Sequence, residues 1–200
     1  MSISVRDVPG DWLSVYARIP IRFEVRSRFD ISLVDGGLGG MQLNEVPVEP
    51  AYMKDYDDSE EGGPAEWPEH FDIRNWGFMV AFSGETAVGG AGVAFNTNGV
   101  HMLEGRANLA VLWDIRVHPV WRGHGVGQAL FKAAVDWARR HACTQLKIET
   151  QNINVPACRF YHAMGARLGC IHRYGYAGVP AVAQEVMLFW YVDIAPGEQT

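Results

Sequence analysis

The chain has 200 residues, of which 48% are hydrophobic and 20% charged, and its formal net charge is −6 at pH 7. That length and apolar content predict one well-buried domain over residues 1–200, and the negative charge argues against general nucleic-acid binding. The longest strongly apolar run, residues 186–192, is far too short to span a membrane.

The first half of the chain predicts strands separated by an acidic connection. Residues 20–34 alternate between apolar and polar side chains, which predicts a strand at 21–34. Residues 53–69 are acidic and rich in turn-forming residues, so we expect an exposed loop there, followed by a short helix near residues 70–76. Residues 77–82 and 87–95 predict an antiparallel hairpin.

The second half alternates strands and helices. It predicts strands at 109–117, 145–150 and 184–192, a helix at 125–141 and a helix at 155–164. Asn154 and Gly165 suit the N-terminal and C-terminal caps of the second helix. Together these elements predict a mixed α/β (α+β) fold, in which a largely antiparallel sheet is flanked by helices.

The turn between the strand at 109–117 and the following helix contains three glycines, Gly123, Gly125 and Gly127. Glycines permit close approach of a ligand to the backbone, and a helix N-terminus favours phosphate. Arg122 and His124 add side-chain donors. The dinucleotide fingerprint fails because Gln128 stands at its last glycine position, and no Gly-Lys-Ser/Thr of a P-loop occurs. A turn that merely fits a tight connection is the structural alternative.

A second motif after the next strand completes a known pattern. The segment from Asn154 to Tyr161 has the form Asn-x-x-Ala-x-x-Phe-Tyr. With the glycine turn, residues 110–165 resemble the acetyl-CoA-binding core of the GNAT superfamily of N-acetyltransferases. Residues 50–56, 149–161 and 184–191 are more narrowly similar to streptothricin acetyltransferases.

The resemblance implies an acetyl-CoA-dependent N-acetyltransferase, in which the amine attacks directly without an acyl-enzyme. Main-chain groups of a strand and of the glycine turn would hold the acetyl-CoA. The implied cofactor-binding residues are Ile115, Val117, Arg122, Gly123, His124, Gly125, Val126, Gly127 and Asn154. Asn154 can cap its helix, contact the cofactor or do both.

The resemblance also implies catalytic roles for two side chains. Tyr161 corresponds to the tyrosine that donates a proton to the departing sulfur, although a buried aromatic beside Phe160 is the structural alternative. Glu149, at the end of the strand at 145–150, is the candidate base. Asp114 on the neighbouring strand competes for this role, and either carboxylate could instead only hold the ammonium group. An exposed glutamate on a strand edge is the remaining interpretation of Glu149.

The expected partner is a small cationic amine, such as a streptothricin-type antibiotic. Carboxylates mixed with aromatic rings suit a polyamine-like cation, and the acceptor-binding candidates are Tyr52, Asp55, Tyr56 and Asp114, with Asp57, Asp58, Glu60 and Glu61 nearby in sequence. An acidic run can also be a solvated loop. A protein lysine or N-terminus, or a non-catalytic acyl-CoA-binding module, are the alternatives, and a homodimer stays open.

The cysteines and the N-terminus indicate a cytoplasmic protein. Cys143, Cys158 and Cys170 form no Cys-x-x-Cys pair, which is consistent with reduced thiols. Cys158 falls within the predicted helix at 155–164, where we expect a packing residue rather than a nucleophile. The N-terminus lacks the pattern of a secretion signal. The seven histidines show no metal-ligand spacing, so no metal is expected.

Overall fold

The computed structural model describes residues 2–58 and 62–195. The strands are β1 (Ile3–Val8), β2 (Phe23–Leu33), β3 (Met41–Lys54), β4 (Gly77–Ser83), β5 (Thr86–Phe95), β6 (Leu109–Val117), β7 (Gln145–Gln151), β8 (Arg167–His172) and β9 (Met187–Asp193). The helices are α1 (Leu13–Tyr16), α2 (Trp67–His70), α3 (Val126–Arg140) and α4 (Val155–Ala163). The described residues form two compact units. Among them, the first unit comprises residues 2–22, 55–58, 62–148 and 191–195, and the second comprises 23–54 and 149–190.

In the first unit the strand order is β1-β4-β5-β6-β7-β9. The first four strands are antiparallel neighbours, whereas β6 and β7 are parallel because helix α3 connects them. Buried residues recur along α3 at helical spacing, and this face packs against β4 and β5. The predicted hairpin, the strand at 109–117 and the helix at 125–141 are all confirmed.

An aromatic core cluster in the first unit includes Tyr16, Trp67, Trp76 and Phe78. This cluster corrects the expectation of an exposed loop at 53–69, since Trp67 is only 3% exposed. The indole carries too much apolar surface to stay in water when an aromatic cluster is available to bury it. The short helix is also displaced: α2 begins at Trp67, and residues 73–75 form only a single 3-10 turn.

In the second unit β2 and β3 form a two-stranded antiparallel sheet, and β8 pairs with β9, which pairs with β7. Both β3 and β8 were absent from the predicted elements. Pro47 and Pro50 lie within β3, and prolines argue against a central strand but are tolerated on an edge. Asn152 ties β2 to the chain before β9: its Nδ2 donates to the Phe29 carbonyl and its Oδ1 accepts from the Val186 N–H, both at 2.8 Å.

The sheet is therefore mostly antiparallel and flanked by helices, as the sequence predicts, although the single domain stays a prediction. In the described part of the chain, no helix is both long and apolar enough to cross a membrane.

The three cysteines are expected to differ sharply in reactivity. Cys143 and Cys158 are buried, and burial raises the pKa of the Cys143 thiol to about 11 and that of Cys158 to about 12. Cys170 is exposed. Because the thiolate is the reactive form, brief iodoacetamide treatment near pH 8 should modify Cys170 alone, and all three only after unfolding. Peptide mass mapping measures this; native labelling of Cys158 would contradict its role as a packing residue.

Candidate active site

The glycine turn lies between β6 and α3. Gly123 and Gly125 have φ angles of 78° and 82°, in the left-handed region that other residues rarely adopt. A Cβ atom built at either position would meet no atom within 4 Å. The glycines are therefore required by the backbone conformation and not by packing, and the space beside the turn is open.

The N-terminus of α3 faces this turn. The helix has 15 residues, and its N-cap residue Gly125 supplies no side-chain hydrogen bond. The first N–H groups of a helix lack intrahelical acceptors and carry the positive end of its dipole. Val126 and Gly127 occupy the first two helical positions. The turn thus presents main-chain donors where an anionic ligand can approach.

Arg122 is held at the end of β6 by backbone oxygens. Its Nε donates to the Val117 carbonyl at 3.1 Å and its Nη2 to the Arg22 carbonyl at 2.9 Å. Burial lowers the pKa of Arg122, but a guanidinium remains charged in proteins. The His124 Nδ1 lies 2.9 Å from the Arg122 carbonyl oxygen. These contacts fix a positive charge beside the turn.

The main-chain groups of Ile115 and Val117 point away from β5. The His118 N–H donates to the Val88 carbonyl at 2.9 Å, which marks a hydrogen-bonded pair in this antiparallel ladder. Such pairs alternate, so the N–H and C=O groups of residues 115 and 117 face the opposite side. The parallel ladder with β7 involves only residues 109–112 of β6.

Asp114 belongs to a buried cluster of charges. Arg116 donates to its Oδ1 through Nε at 3.0 Å and to its Oδ2 through Nη2 at 2.7 Å. The same guanidinium donates twice to Asp57, at 2.8 Å each, and the Tyr16 hydroxyl donates to the Asp114 Oδ1. Two carboxylates and one guanidinium leave one negative charge on this cluster.

Burial and charge together set the titration of this cluster. Burial alone would lower the pKa of Arg116, but Asp114 and Asp57 outweigh it and raise the value. Burial, followed by the charge of Asp114, raises the pKa of Tyr16, which keeps its hydroxyl a donor. Sequence reasoning missed Arg116, whose signal was a lone cation on an apolar strand two residues from Asp114. Tyr16 had no local signal, and Asp57 was noted only as part of the acidic segment; their partners lie 98 and 59 residues away in sequence.

In the second unit Glu149 is half-buried on β7 and hydrogen-bonded. The Tyr176 hydroxyl donates to its Oε1 at 2.5 Å, and the Gln151 Nε2 donates to the Tyr176 oxygen at 2.5 Å. Glu149 is therefore not a freely solvated glutamate. Sequence reasoning missed Tyr176, which lies 27 residues from Glu149 in a segment without recognisable pattern.

Two further predicted residues of this unit, Asn154 and Tyr161, lie at the start of helix α4 and within it. Asn154 caps the helix, because its Oδ1 accepts from the Ala157 N–H at 3.1 Å. Tyr161 is only 6% exposed, and its ring centroid lies 5.5 Å from that of Phe160. Cys158, on the same helix, is buried as a packing residue.

The acceptor-binding candidates are divided between the units. Tyr52, on β3, is exposed, and its pKa is raised by partial burial and by Glu185. In the first unit the Asp55 Oδ1 accepts from the Asp57 N–H at 3.2 Å, and Tyr56 is half-buried. Glu60 and Glu61 lie outside the described residues.

Strand β6, the glycine turn and helix α3 fall within one stretch of the chain that matches a known family. The Acetyltransferase (GNAT) family matches residues 47–166, and the chain belongs to this family. It is accordingly an N-acetyltransferase, and its acetyl donor is acetyl-CoA.

Individual relatives point to a narrower group. The chain is 33% identical to a streptothricin acetyltransferase of Escherichia coli over 172 residues, 84% of each chain. A candidate streptothricin acetyltransferase of Bacillus anthracis, solved in complex with acetyl coenzyme A, is 26% identical with a TM-score of 0.75 and covers 96% of this chain and 99% of its own. A nourseothricin acetyltransferase shares the fold, with a TM-score of 0.74 at 24% identity over 98% of this chain and 100% of its own.

Proposed function

We propose that this enzyme acetylates a primary amine of a small cationic acceptor of the streptothricin type, by direct attack in a ternary complex. The observation that carries the proposal is the 33% identity to a streptothricin acetyltransferase over 84% of both chains. The residual negative charge of the cluster around Arg116 supports a cationic acceptor, because that charge attracts cations and repels anions.

The acetyl donor fits the first unit. The open left-handed turn supports a site for the pyrophosphate, held by main-chain N–H groups of Gly123 and of residues 125–127 and by the charge of Arg122, with His124 in support. The backbone of Ile115 and Val117, directed away from β5, would hydrogen-bond the pantetheine arm, and Asn154 would contact the cofactor besides capping α4. When bound, acetyl-CoA supplies the acetyl group as an activated thioester.

The acceptor amine must lose a proton before it attacks. A lysine-like amine has a pKa of about 10.4, so well under 1% is neutral near pH 7. We assign the base to Glu149, acting directly or through a water molecule. The saturated hydrogen bonding of Asp114 supports this choice, since Arg116 and Tyr16 already bind both of its oxygens.

Tyr161 is assigned as the acid that protonates the departing sulfur. A phenol has a pKa of about 10, close to that of a thiolate leaving group, so proton transfer between them is feasible. Tyr52, Asp55 and Tyr56 would contribute ring faces and charge to the acceptor, and Asp114 would act through the net charge of its cluster.

Release of free CoA from acetyl-CoA tests the acceptor. We expect strong turnover with streptothricin and weak turnover with aminoglycosides, simple polyamines, lysine and lysine-bearing peptides. Preferential acetylation of peptides would favour the protein-modifying alternative. Absence of turnover with every amine, while acetyl-CoA still binds, would refute the streptothricin-type acceptor and leave the catalytic roles open.

Two variants separate chemistry from binding in the same assay. Glu149→Gln and Tyr161→Phe should each lower kcat by roughly 100-fold, the scale of a lost proton-transfer group, and leave the Kd of acetyl-CoA unchanged. Calorimetric titration of acetyl-CoA measures the latter. Full kcat in either variant would remove that residue from the proposed mechanism.

A further inference from the structure

Tyr176 makes a specific contact with the proposed base. Its hydroxyl lies between two side chains of β7, accepting from the Gln151 Nε2 and donating to the Glu149 Oε1, each at 2.5 Å. The direction of these two hydrogen bonds follows from their chemistry. An amide nitrogen only donates, so the single hydroxyl proton of Tyr176 is directed to the carboxylate. A bond of this kind favours the ionised form of the carboxylate.

The geometry of the strand explains why one hydroxyl reaches both partners. Glu149 and Gln151 are two residues apart on β7, so their side chains leave the same face. Tyr176 arrives from a separate segment of the second unit, before β9. That segment is closed by its own hydrogen bonds, including Gly175 N–H to the His172 carbonyl at 3.2 Å and Val179 N–H to the Tyr176 carbonyl at 2.9 Å.

We propose that Tyr176 is a positioning residue for this reaction: it orients the Glu149 carboxylate and holds it ready to accept the proton of the acceptor ammonium. The proposal rests on the proposed role of Glu149 as base. Tyr176 itself transfers no proton in it. The bond reduces the rotamers open to Glu149, which is the ordering that an efficient base requires.

Tyr176→Phe removes only the hydroxyl, and Tyr174→Phe is its matched control. Tyr174 lies two residues earlier in the same segment and is 70% exposed. Free-CoA release should be followed with streptothricin as acceptor from about pH 5 to about pH 9. We expect Tyr176→Phe to lower kcat roughly tenfold, as for loss of a hydrogen bond to a charged group, and to shift the acid limb of the profile to higher pH. The KM for acetyl-CoA should not change, and Tyr174→Phe should behave as the parent enzyme.

The Glu149→Gln background shows whether Tyr176 acts through Glu149. If it does, the double variant should be no slower than Glu149→Gln alone, because the base that Tyr176 positions is already absent. An undiminished effect of Tyr176→Phe in that background, or a Tyr176→Phe profile identical to that of Tyr174→Phe, would overturn the positioning role. Full activity of Glu149→Gln would refute the role of Glu149 as the base. This measurement therefore distinguishes failure of the proposed base from failure of the positioning role of Tyr176.

A second variant keeps the proposal testable if Tyr176→Phe fails to fold. Circular dichroism of Tyr176→Phe should match that of the parent enzyme. Gln151→Met keeps a side chain of similar length but removes the donor to the Tyr176 oxygen, and we expect a smaller shift of the acid limb in the same direction. An unchanged profile in Gln151→Met, together with misfolded Tyr176→Phe, would count against the proposal.

Discussion

Replacing Gly125 by glutamate is expected to abolish binding of acetyl-CoA. The residue has a φ of 82°, and the position is open to ligand rather than packed by protein. A glutamate would bring a negative charge to the place proposed for the pyrophosphate and would neutralise the positive end of the helix dipole that favours an anion there. It would also cost about 1–2 kcal/mol because an L-residue is strained in this conformation. Calorimetric titration should detect no binding.

Gly84→Glu is the control for the added charge and the backbone strain at a position away from the glycine turn. Gly84 lies in the turn between β4 and β5, has a φ of 62°, and a Cβ there would also meet no atom within 4 Å. This variant carries a comparable conformational cost and the same added charge but should bind acetyl-CoA like the parent. Gly125→Asn tests the site itself, because asparagine tolerates the left-handed region and is neutral, so it should retain measurable binding. Unchanged affinity in a folded Gly125→Glu protein would refute the cofactor site.

Replacing Arg116 by methionine is expected to lower the free energy of unfolding more than any other substitution proposed for this protein. The side chain of Arg116 is 1% exposed and binds Asp114 and Asp57, whose side chains are 7% and 30% exposed. Removing one partner of a buried ion pair leaves uncompensated charge and costs about 3–5 kcal/mol, and the partial exposure of Asp57 favours the lower end. For a chain of this size the thermal midpoint should fall by roughly 6–12 °C near pH 7.

The loss is attributed to the two carboxylates, Asp114 and Asp57, that the variant leaves without their cation. Arg74→Met is the control, since Arg74 pairs with Asp72 at the surface and its loss should have little effect. An equal midpoint for Arg116→Met and the parent would show that the cluster contributes nothing to stability.

Elements with a strong local pattern were the ones that could be predicted from sequence. Strand β6 was predicted at its observed bounds, and the Asn154 cap follows from its side chain and position alone. Strand β3 lacks a clear strand pattern in its sequence, because it contains two prolines and most of its residues are exposed. The burial of Trp67 was missed because an acidic stretch precedes it and because one of the rings that cover it, Tyr16, comes from a distant part of the chain.

The same distinction holds for the site. The glycine turn and the residues of α4 are adjacent in sequence, so a motif can identify them. The contacts that orient the carboxylates join residues that are far apart in sequence. Tyr16 reaches Asp114 and Tyr176 reaches Glu149 only after the chain has folded. No local property of residues 16 or 176 specifies the partner, because a tyrosine hydroxyl suits many acceptors equally well.

The ring of Tyr16 occupies the volume that a side chain at position 90 would need. A Cβ atom on Gly90 would lie 2.3 Å from the Cε2 atom of that ring. The hydroxyl at the far end of the ring binds Asp114. The absence of a side chain at Gly90 of β5 thus leaves room for the ring whose hydroxyl holds a carboxylate of β6, and a side chain at position 90 would require a smaller residue at position 16.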